Sequence, residues 1–222
     1  MAGAFLFTAE RSKDVSLFHF KNHLICIMLY KFLLLILTIN IISCSHPIYT
    51  NPHVKIETQF GDIEVELYPD KAPKSVAAFL SYVDSGFYKH SSFYRTLKEE
   101  DQPSASFKAE LIQGGIWQTN YKKGISLPGI PHESTKQTGI LHKNGTLSLA
   151  RTVPGTASSE FFICIGDQPA YDYGGSANPD EQGFAAFGKV IKGMDIVRKI
   201  HQQPDNEESF VSPVEIINIK RL

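Results

Sequence analysis

Through most of this chain polar and apolar positions alternate in short stretches, and a period of two is the signature of a strand with one buried face. In His53-Val-Lys-Ile-Glu-Thr-Gln-Phe60 and Ile63-Glu-Val-Glu-Leu67 the alternation runs on both sides of Gly61-Asp62. A β-hairpin with one wet face is predicted there, turning at those two residues. The period then changes. Val76, Phe79, Leu80 and Val83 stand at i, i+3, i+4 and i+7, which predicts a helix opening near Pro73 and stopping at Gly86, where a left-handed C-cap is wanted. Met194, Val197 and Ile200 predict a second helix from Gly193 or Met194 to about His201. Short strands are expected near Ser92 to Thr96, Leu111 to Gln113, Thr146 to Ala150, Phe161 to Ile165, Ala185 to Val190 and Val214 to Lys220. Many short strands with two helices point to a β-barrel or a sandwich. The long polar connections Lys98 to Lys108, Lys122 to His142 and Tyr171 to Gly183 are where recognition surfaces are expected.

Upstream of the first strand the pattern is different. Leu24 to Ile42 is almost continuously apolar, broken by Lys31. From Met28 the order is one positive residue, the apolar run Phe32 to Ile42, then a small Ser43, the three regions of a secretory signal. That run is shorter than the roughly 20 residues of a spanning helix, so cleavage is expected rather than a permanent anchor. Ile41-Ile42-Ser43-Cys44 is similar to a bacterial lipobox, which implies that Cys44 is lipidated and becomes the first mature residue. Glu10, Arg11, Lys13 and Asp14 suit no signal start, and translation from Met28 would remove them. The expected organisation is a leader over 1–43 (signal 28–43), Cys44 and a proline-bearing tether to Pro52, and one domain over 53–222. The expected setting is the bacterial cell envelope, lipid-anchored and facing the periplasm.

Charge and composition exclude several functions. With 22 Lys+Arg against 23 Asp+Glu, the chain has no broad positive field for a nucleic-acid backbone, and no nucleic-acid partner is expected. Cys26, Cys44 and Cys164 form no C-x-x-C pair and cannot build a disulfide framework. His132-Glu133 is followed by Lys136 where a zinc-protease helix needs a second histidine. Asp172, Asn178, Asp180 and Glu181 lack the alternating spacing of a calcium loop and read as a solvated turn. Asn144-Gly145 reads as a turn pair. Neither a G-x-S-x-G elbow nor a phosphate-binding loop occurs, so no metal and no cofactor is implied.

Five segments in order carry a resemblance: Ser92-Phe-Tyr-Arg95, Leu111-Ile-Gln-Gly-Gly115, Leu147-Ser-Leu-Ala-Arg151 with Ala157-Ser-Ser-Glu-Phe-Phe-Ile163, Phe184-Ala-Ala-Phe-Gly-Lys-Val190, and Gly193-Met-Asp-Ile-Val197. Across 53–222 the chain resembles the cyclophilin family of peptidyl-prolyl cis-trans isomerases. The resemblance implies a mainly β fold, a closed eight-stranded antiparallel barrel capped by two α-helices, acting as a monomer on X-Pro bonds in unfolded or loop segments of exported proteins.

Rotation about such a bond faces a barrier of about 18 to 20 kcal/mol, because amide resonance must be broken. Raising a rate of about 0.01 per second to about 1000 per second requires about 7 kcal/mol of transition-state stabilisation, with no covalent intermediate. By resemblance Arg95 supplies the key charged hydrogen bond to the prolyl nitrogen as it pyramidalises, and Gln113 holds the substrate backbone and orients the arginine. Phe162 and Leu111 fall on floor and wall of the proline pocket, while Ala150 and Arg151 match the strand whose backbone pairs with the peptide. The sequence also departs from the best-known members. Tyr94 replaces a histidine, Glu110 a pocket-wall phenylalanine, Ala170 a tryptophan, Tyr171 a leucine and Phe184 a histidine. Weakened proline binding and weak cyclosporin binding are the expected consequences, and the stretch from Lys98 to Glu110 is expected to reshape one rim. The alternative is a cyclophilin-fold module that binds Pro-containing segments without turning them over.

Overall fold

A computed structural model describes Met28, Lys31, residues 50–102 and residues 108–222. The signal, the lipobox cysteine Cys44 and most of the tether lie outside the described residues. The chain divides into two compact units, Met1–Ile48 and Tyr49–Leu222. Among the described residues no helix is long and apolar enough to cross a membrane.

Within the second unit the strands are β1 His53–Thr58, β2 Gly61–Leu67, β3 Ser91–Leu97, β4 Leu111–Gly115, β5 Thr146–Leu149, β6 Phe161–Cys164, β7 Ala185–Lys192, β8 Asp205–Asn206 and β9 Ser209–Arg221. They pair antiparallel in the order β1-β2-β7-β5-β6-β4-β3-β9-β8, and β1 pairs with β9. Eight strands therefore close into a barrel, with the two-residue β8 added as a hairpin arm.

The hairpin β1–β2 forms as its alternation predicts, with Val54, Ile56, Ile63, Val65 and Leu67 sealed from solvent. Its turn is placed differently. Thr58 pairs with Gly61, which leaves Gln59-Phe60 as the loop. The Thr58 hydroxyl fixes this arrangement by donating to Gly61 O (2.8 Å) and accepting from Phe60 N (3.1 Å).

Helix α1, Pro73–Asp84, begins on its proline and is followed by Gly86 at φ 68°, as expected. Ala72 at its N-cap offers no side-chain oxygen. Glu133 does so from a distant loop, accepting from Lys74 N (3.1 Å), Ser75 N (2.8 Å) and Ser75 Oγ (2.7 Å). A carboxylate on the first turn satisfies orphan N–H groups and complements the helix dipole. Two further short helices, α2 Tyr121–Ser126 and α3 Thr135–Thr138, form where a connection was expected over 122–142, α2 starting one residue ahead of it. Both are set by local caps, Asn120 on Lys123 N and the Ser134/Gln137 box, rather than by an apolar stripe. Helix α4, Met194–His201, buries Val197 and Ile200.

Side chains fill the barrel. Phe93, Ile112, Leu147, Phe161, Ile163 and Phe187 are fully buried in one core together with Phe79 of α1. Phe161 meets the rings of Phe79 (5.6 Å), Tyr88 (5.6 Å) and Phe93 (5.8 Å), all edge-on. A barrel packed in this way has no room for a guest, so a binding site must lie on its outer face. A second apolar cluster sits there, made of Leu97, Ala109, Leu111, Phe162, Cys164 and Tyr171, with Ala150 and Phe184 against it.

Candidate functional site

Strand alternation assigns each residue to one side of the barrel wall. In β6, Phe161 and Ile163 join the interior core and Phe162 and Cys164 the outer cluster; in β4, Ile112 is interior and Leu111 exterior. Strict alternation in β3 would put Arg95 on the same side as Phe93, inside the barrel. A bulge prevents this. Phe93 pairs with Gly114 and Arg95 with Gln113, so Tyr94 is an extra residue opposite no partner. Tyr94 and Arg95 both project outward, and Thr96 returns to full burial. Bulges re-aim side chains at the cost of local ladder bonds, and are common beside active sites.

The outcome is a groove of about 350 Å³. All nine residues expected at the site line it: Tyr94, Arg95, Leu111, Gln113, Ala150, Arg151, Phe162, Tyr171 and Phe184. Trp117, Thr152, Thr156, Ser158 and Glu160 line it as well; Ser158 and Glu160 lie in the 157–163 segment that carries the resemblance, but none of the five is among the residues expected at the site. Glu110, the substitution expected to remove apolar wall, and Ala170, the one expected to weaken cyclosporin binding, are not among the lining residues. The stretch after β3, expected to reshape one rim, supplies no lining residue of the groove among those described, and it is tied at its base, because Gln102 donates to Lys98 O (2.7 Å) and Ala109 O (2.6 Å) and accepts from Ala109 N (3.0 Å).

The apolar half of the groove is aromatic. Phe162 meets Tyr171 at 5.5 Å and Phe184 at 5.3 Å, both edge-on, and Tyr171 meets Phe184 at 5.0 Å. The ring of His142 lies nearly parallel to Phe162 at 6.0 Å. Asp172, expected in a solvated turn, instead anchors this histidine. It accepts from His142 N (2.9 Å) and pairs with Nδ1 (2.8 Å), while Nε2 meets Ser148 Oγ at 3.0 Å. The order acid, histidine, serine resembles a hydrolase triad, yet His142 and Ser148 are buried. A nucleophile without access to a substrate has no chemistry to perform, and the three residues instead hold Phe162 from behind.

Arg151 is fixed beside this cage. Its side chain is 1% exposed, bonds both Asp180 oxygens (2.7 and 2.8 Å) and Gly183 O (2.9 Å from Nε), and lies 5.3 Å over the Phe184 ring. The hydrogen bonds from Arg151 lower the Asp180 carboxyl to about 2. Strand β5 stops at Leu149, and Ala150 N donates to Glu160 O (2.9 Å).

The polar half is one chain of hydrogen bonds. Arg95 Nη1 donates to Gln113 Oε1 (3.1 Å), Gln113 Nε2 donates to Tyr94 Oη (3.0 Å), and Tyr94 donates to Glu160 Oε2 (2.7 Å). Glu160 Oε1 accepts from Ile116 N (2.8 Å), Trp117 N (3.0 Å) and Ser159 Oγ (3.1 Å). Burial, and then the Glu160 charge, push the Tyr94 hydroxyl well above its usual range, so it stays protonated and can only donate to the carboxylate. That fixes the direction of every link, because Tyr94 Oη accepts from the Gln113 amide nitrogen and the amide oxygen is left facing the arginine. Burial also raises the Glu160 carboxyl, against the hydrogen bonds it accepts. Gly115, at φ 150°, makes room for it: a Cβ there would lie 2.4 Å from Glu160 Oε1. On its other edge Arg95 donates to Glu208 Oε2 from Nε (3.1 Å) and Nη2 (2.6 Å). Glu208 also went unrecognised in the sequence.

The closed barrel thus carries a cationic donor beside an aromatic pocket on its outer wall. Comparison with known proteins identifies the family that shares this fold. Residues 53–221 match the family described as cyclophilin type peptidyl-prolyl cis-trans isomerase/CLD. A peptidyl-prolyl cis-trans isomerase of Acinetobacter baylyi is 36% identical over 176 residues, 77% of this chain and 85% of that one. Peptidyl-prolyl cis-trans isomerase B of Escherichia coli is 30% identical over 174 residues, 73% and 98% of the two chains. A crystal structure of a Cryptosporidium parvum cyclophilin type isomerase superimposes with a TM-score of 0.61 at 23% identity, covering 78% of this chain and 98% of that one, and shows the shared fold. The chain belongs to the cyclophilin-type peptidyl-prolyl cis-trans isomerase family. Its activity is the cis-trans isomerisation of X-Pro peptide bonds in proline-containing peptides.

Proposed function

We propose that the outer groove is the isomerase active site, with Arg95 and Gln113 as its polar catalytic groups and Phe162, Leu111, Tyr171 and Phe184 as the proline pocket. The observation that carries this reading is the bulge at Tyr94, which turns a guanidinium out beside an aromatic cage. A prolyl ring seats on Phe162, and the X-Pro nitrogen comes under the arginine. As the bond rotates, that nitrogen loses resonance and becomes a hydrogen-bond acceptor, which a planar amide nitrogen is not. A donor placed there in advance binds the twisted state better than either planar one. Of five guanidinium N–H groups, three are engaged with Gln113 and Glu208, and the others are open to the guest. Tyr94 and Glu160 hold the Gln113 amide in the orientation that supports Arg95. Thr152, Thr156 and Ser158 offer the flanking backbone a polar wall.

The wider role we assign is assistance to the folding of exported proteins by a monomer tethered to the bacterial envelope through lipidated Cys44, facing the periplasm. The leader pattern from Met28 to Cys44 supports that location.

Cis-to-trans exchange of an Ala-Pro peptide, a dipeptide also present with the Cryptosporidium isomerase in a second crystal structure, tests the site. Acceleration by the parent that falls about 100- to 1000-fold in Arg95→Ala, with an unchanged melting curve, is expected. Equal acceleration by both proteins removes Arg95 from the chemistry. Mass spectrometry of the mature N-terminus tests the anchor: a diacylglycerol-bearing Cys44 supports it, and an intact, unlipidated chain sinks it.

A further inference from the structure

The acidic partner of Arg95 stands on a backbone that a glutamate ordinarily avoids. Asp205 pairs with Phe210 and Asn206 with Ser209, which leaves Glu207-Glu208 as the two-residue turn between β8 and β9. Both glutamates have positive φ, 48° and 69°. Turns with two left-handed residues favour Asn-Gly, because a Cβ is strained in that region. Two consecutive glutamates there are a local defect held by their surroundings, and such defects gather at functional sites.

The surroundings are specific. Thr96 N donates to Glu208 O (2.7 Å), Ser209 pairs with Arg95 across the strands, and Lys98 Nζ holds the Asp205 carboxylate and donates to Gln203 O (3.1 Å). The turn is thus fastened to β3 at the bulge that aims Arg95. Glu207, with the same backbone strain, is exposed, whereas Glu208 reaches two nitrogens of the guanidinium. Stability alone does not account for it. The pair is 40% and 42% exposed, and exposed ion pairs contribute little to folding.

We propose that Glu208 is a positioning residue for the isomerase, holding Arg95 by the edge opposite Gln113 so that the guanidinium cannot swing out of the groove. The proposal rests on Arg95 being the catalytic arginine. With Nε and Nη2 on Glu208 and Nη1 on Gln113, the plane is fixed from both edges before a substrate arrives, and no reorganisation is left for the rotation step.

Glycine substitutions separate strain from function. In the full chain, Glu207→Gly and Glu208→Gly both relieve the left-handed strain and are expected to melt at or above the parent temperature. Only Glu208→Gly is expected to lose kcat toward an Ala-Pro peptide, about tenfold, with KM within about twofold. Glu208→Gln, which keeps one acceptor oxygen, is expected to recover part of the loss. Arg95→Ala is measured alongside. If Arg95→Ala abolishes turnover while Glu208→Gly keeps the parent kcat, Glu208 does not position the arginine. A loss shared equally by Glu207→Gly, or matched by a fall in melting temperature, also overturns the proposal. An active Arg95→Ala variant instead overturns the assignment of Arg95 and takes the role of Glu208 with it.

Discussion

Phe161 and Phe162 are neighbours in one strand, both almost wholly buried, and they belong to different parts of the molecule. Phe161 is enclosed by Phe79, Tyr88 and Phe93 in the barrel core, where every neighbour is part of the fold. Phe162 is enclosed by His142, Tyr171 and Phe184, three residues that either line a groove or support it. Burial alone does not tell them apart, since they are 0% and 2% exposed. The neighbours do: one set is complete, the other leaves a face for a guest.

That contrast can be broken by truncating each ring. Phe161→Ala is expected to cost about 3 to 5 kcal/mol in denaturant unfolding, with turnover per folded molecule near the parent's. Phe162→Ala is expected to cost less, about 2 kcal/mol, and to lower kcat/KM at least about tenfold as the proline ring loses its floor. Equal destabilisation by the two, with activity untouched by the second, would merge core and groove into one structure. On the polar side of the groove, Tyr94→Phe removes the link between Glu160 and Gln113 and costs about 1 kcal/mol. With its direction no longer enforced, the Gln113 amide can present nitrogen to Arg95, and a several-fold lower kcat in the peptide assay is expected; an unchanged kcat would show that the chain of hydrogen bonds is not used. The smallest effect concerns the rim. Asp180, lowered from its ordinary 3.8 to about 2 by Arg151, stabilises the fold above about pH 4 and loses that contribution as the pH falls toward about 2. Asp180→Asn should therefore match the parent in melting temperature at the acid end and fall slightly below it at neutral pH. Parallel profiles would detach Asp180 from the rim.

Elements with a strong period were legible in the sequence. The alternation of 53–67 and the three-four spacing of 76–83 depend on neighbours within one strand or helix, and both formed within a residue or two of expectation. What stayed hidden depends on contacts made at long range or on a single break in a period. Alternation alone sends Arg95 into the barrel beside Phe93; only the likeness to a known family brought it to the groove, and only the structure shows the bulge that puts it there. Glu160 and Glu208 resemble any surface glutamate until partners 66 and 113 residues away arrive. Glu110, which stands where the resemblance expects an apolar wall residue, is not among the residues that line the groove.

The remote cap on α1 bears on the order in which the molecule assembles. The helix supplies no side-chain cap of its own, and the carboxylate that finishes its first turn belongs to Glu133, 58 residues beyond Ser75. Closing a loop of that length costs chain entropy before the contact returns anything. A chain that emerges from its N-terminus therefore presents this segment as a helix without its cap until residue 133 has followed, so the first turn of α1 is completed by a part of the chain made well after the helix itself.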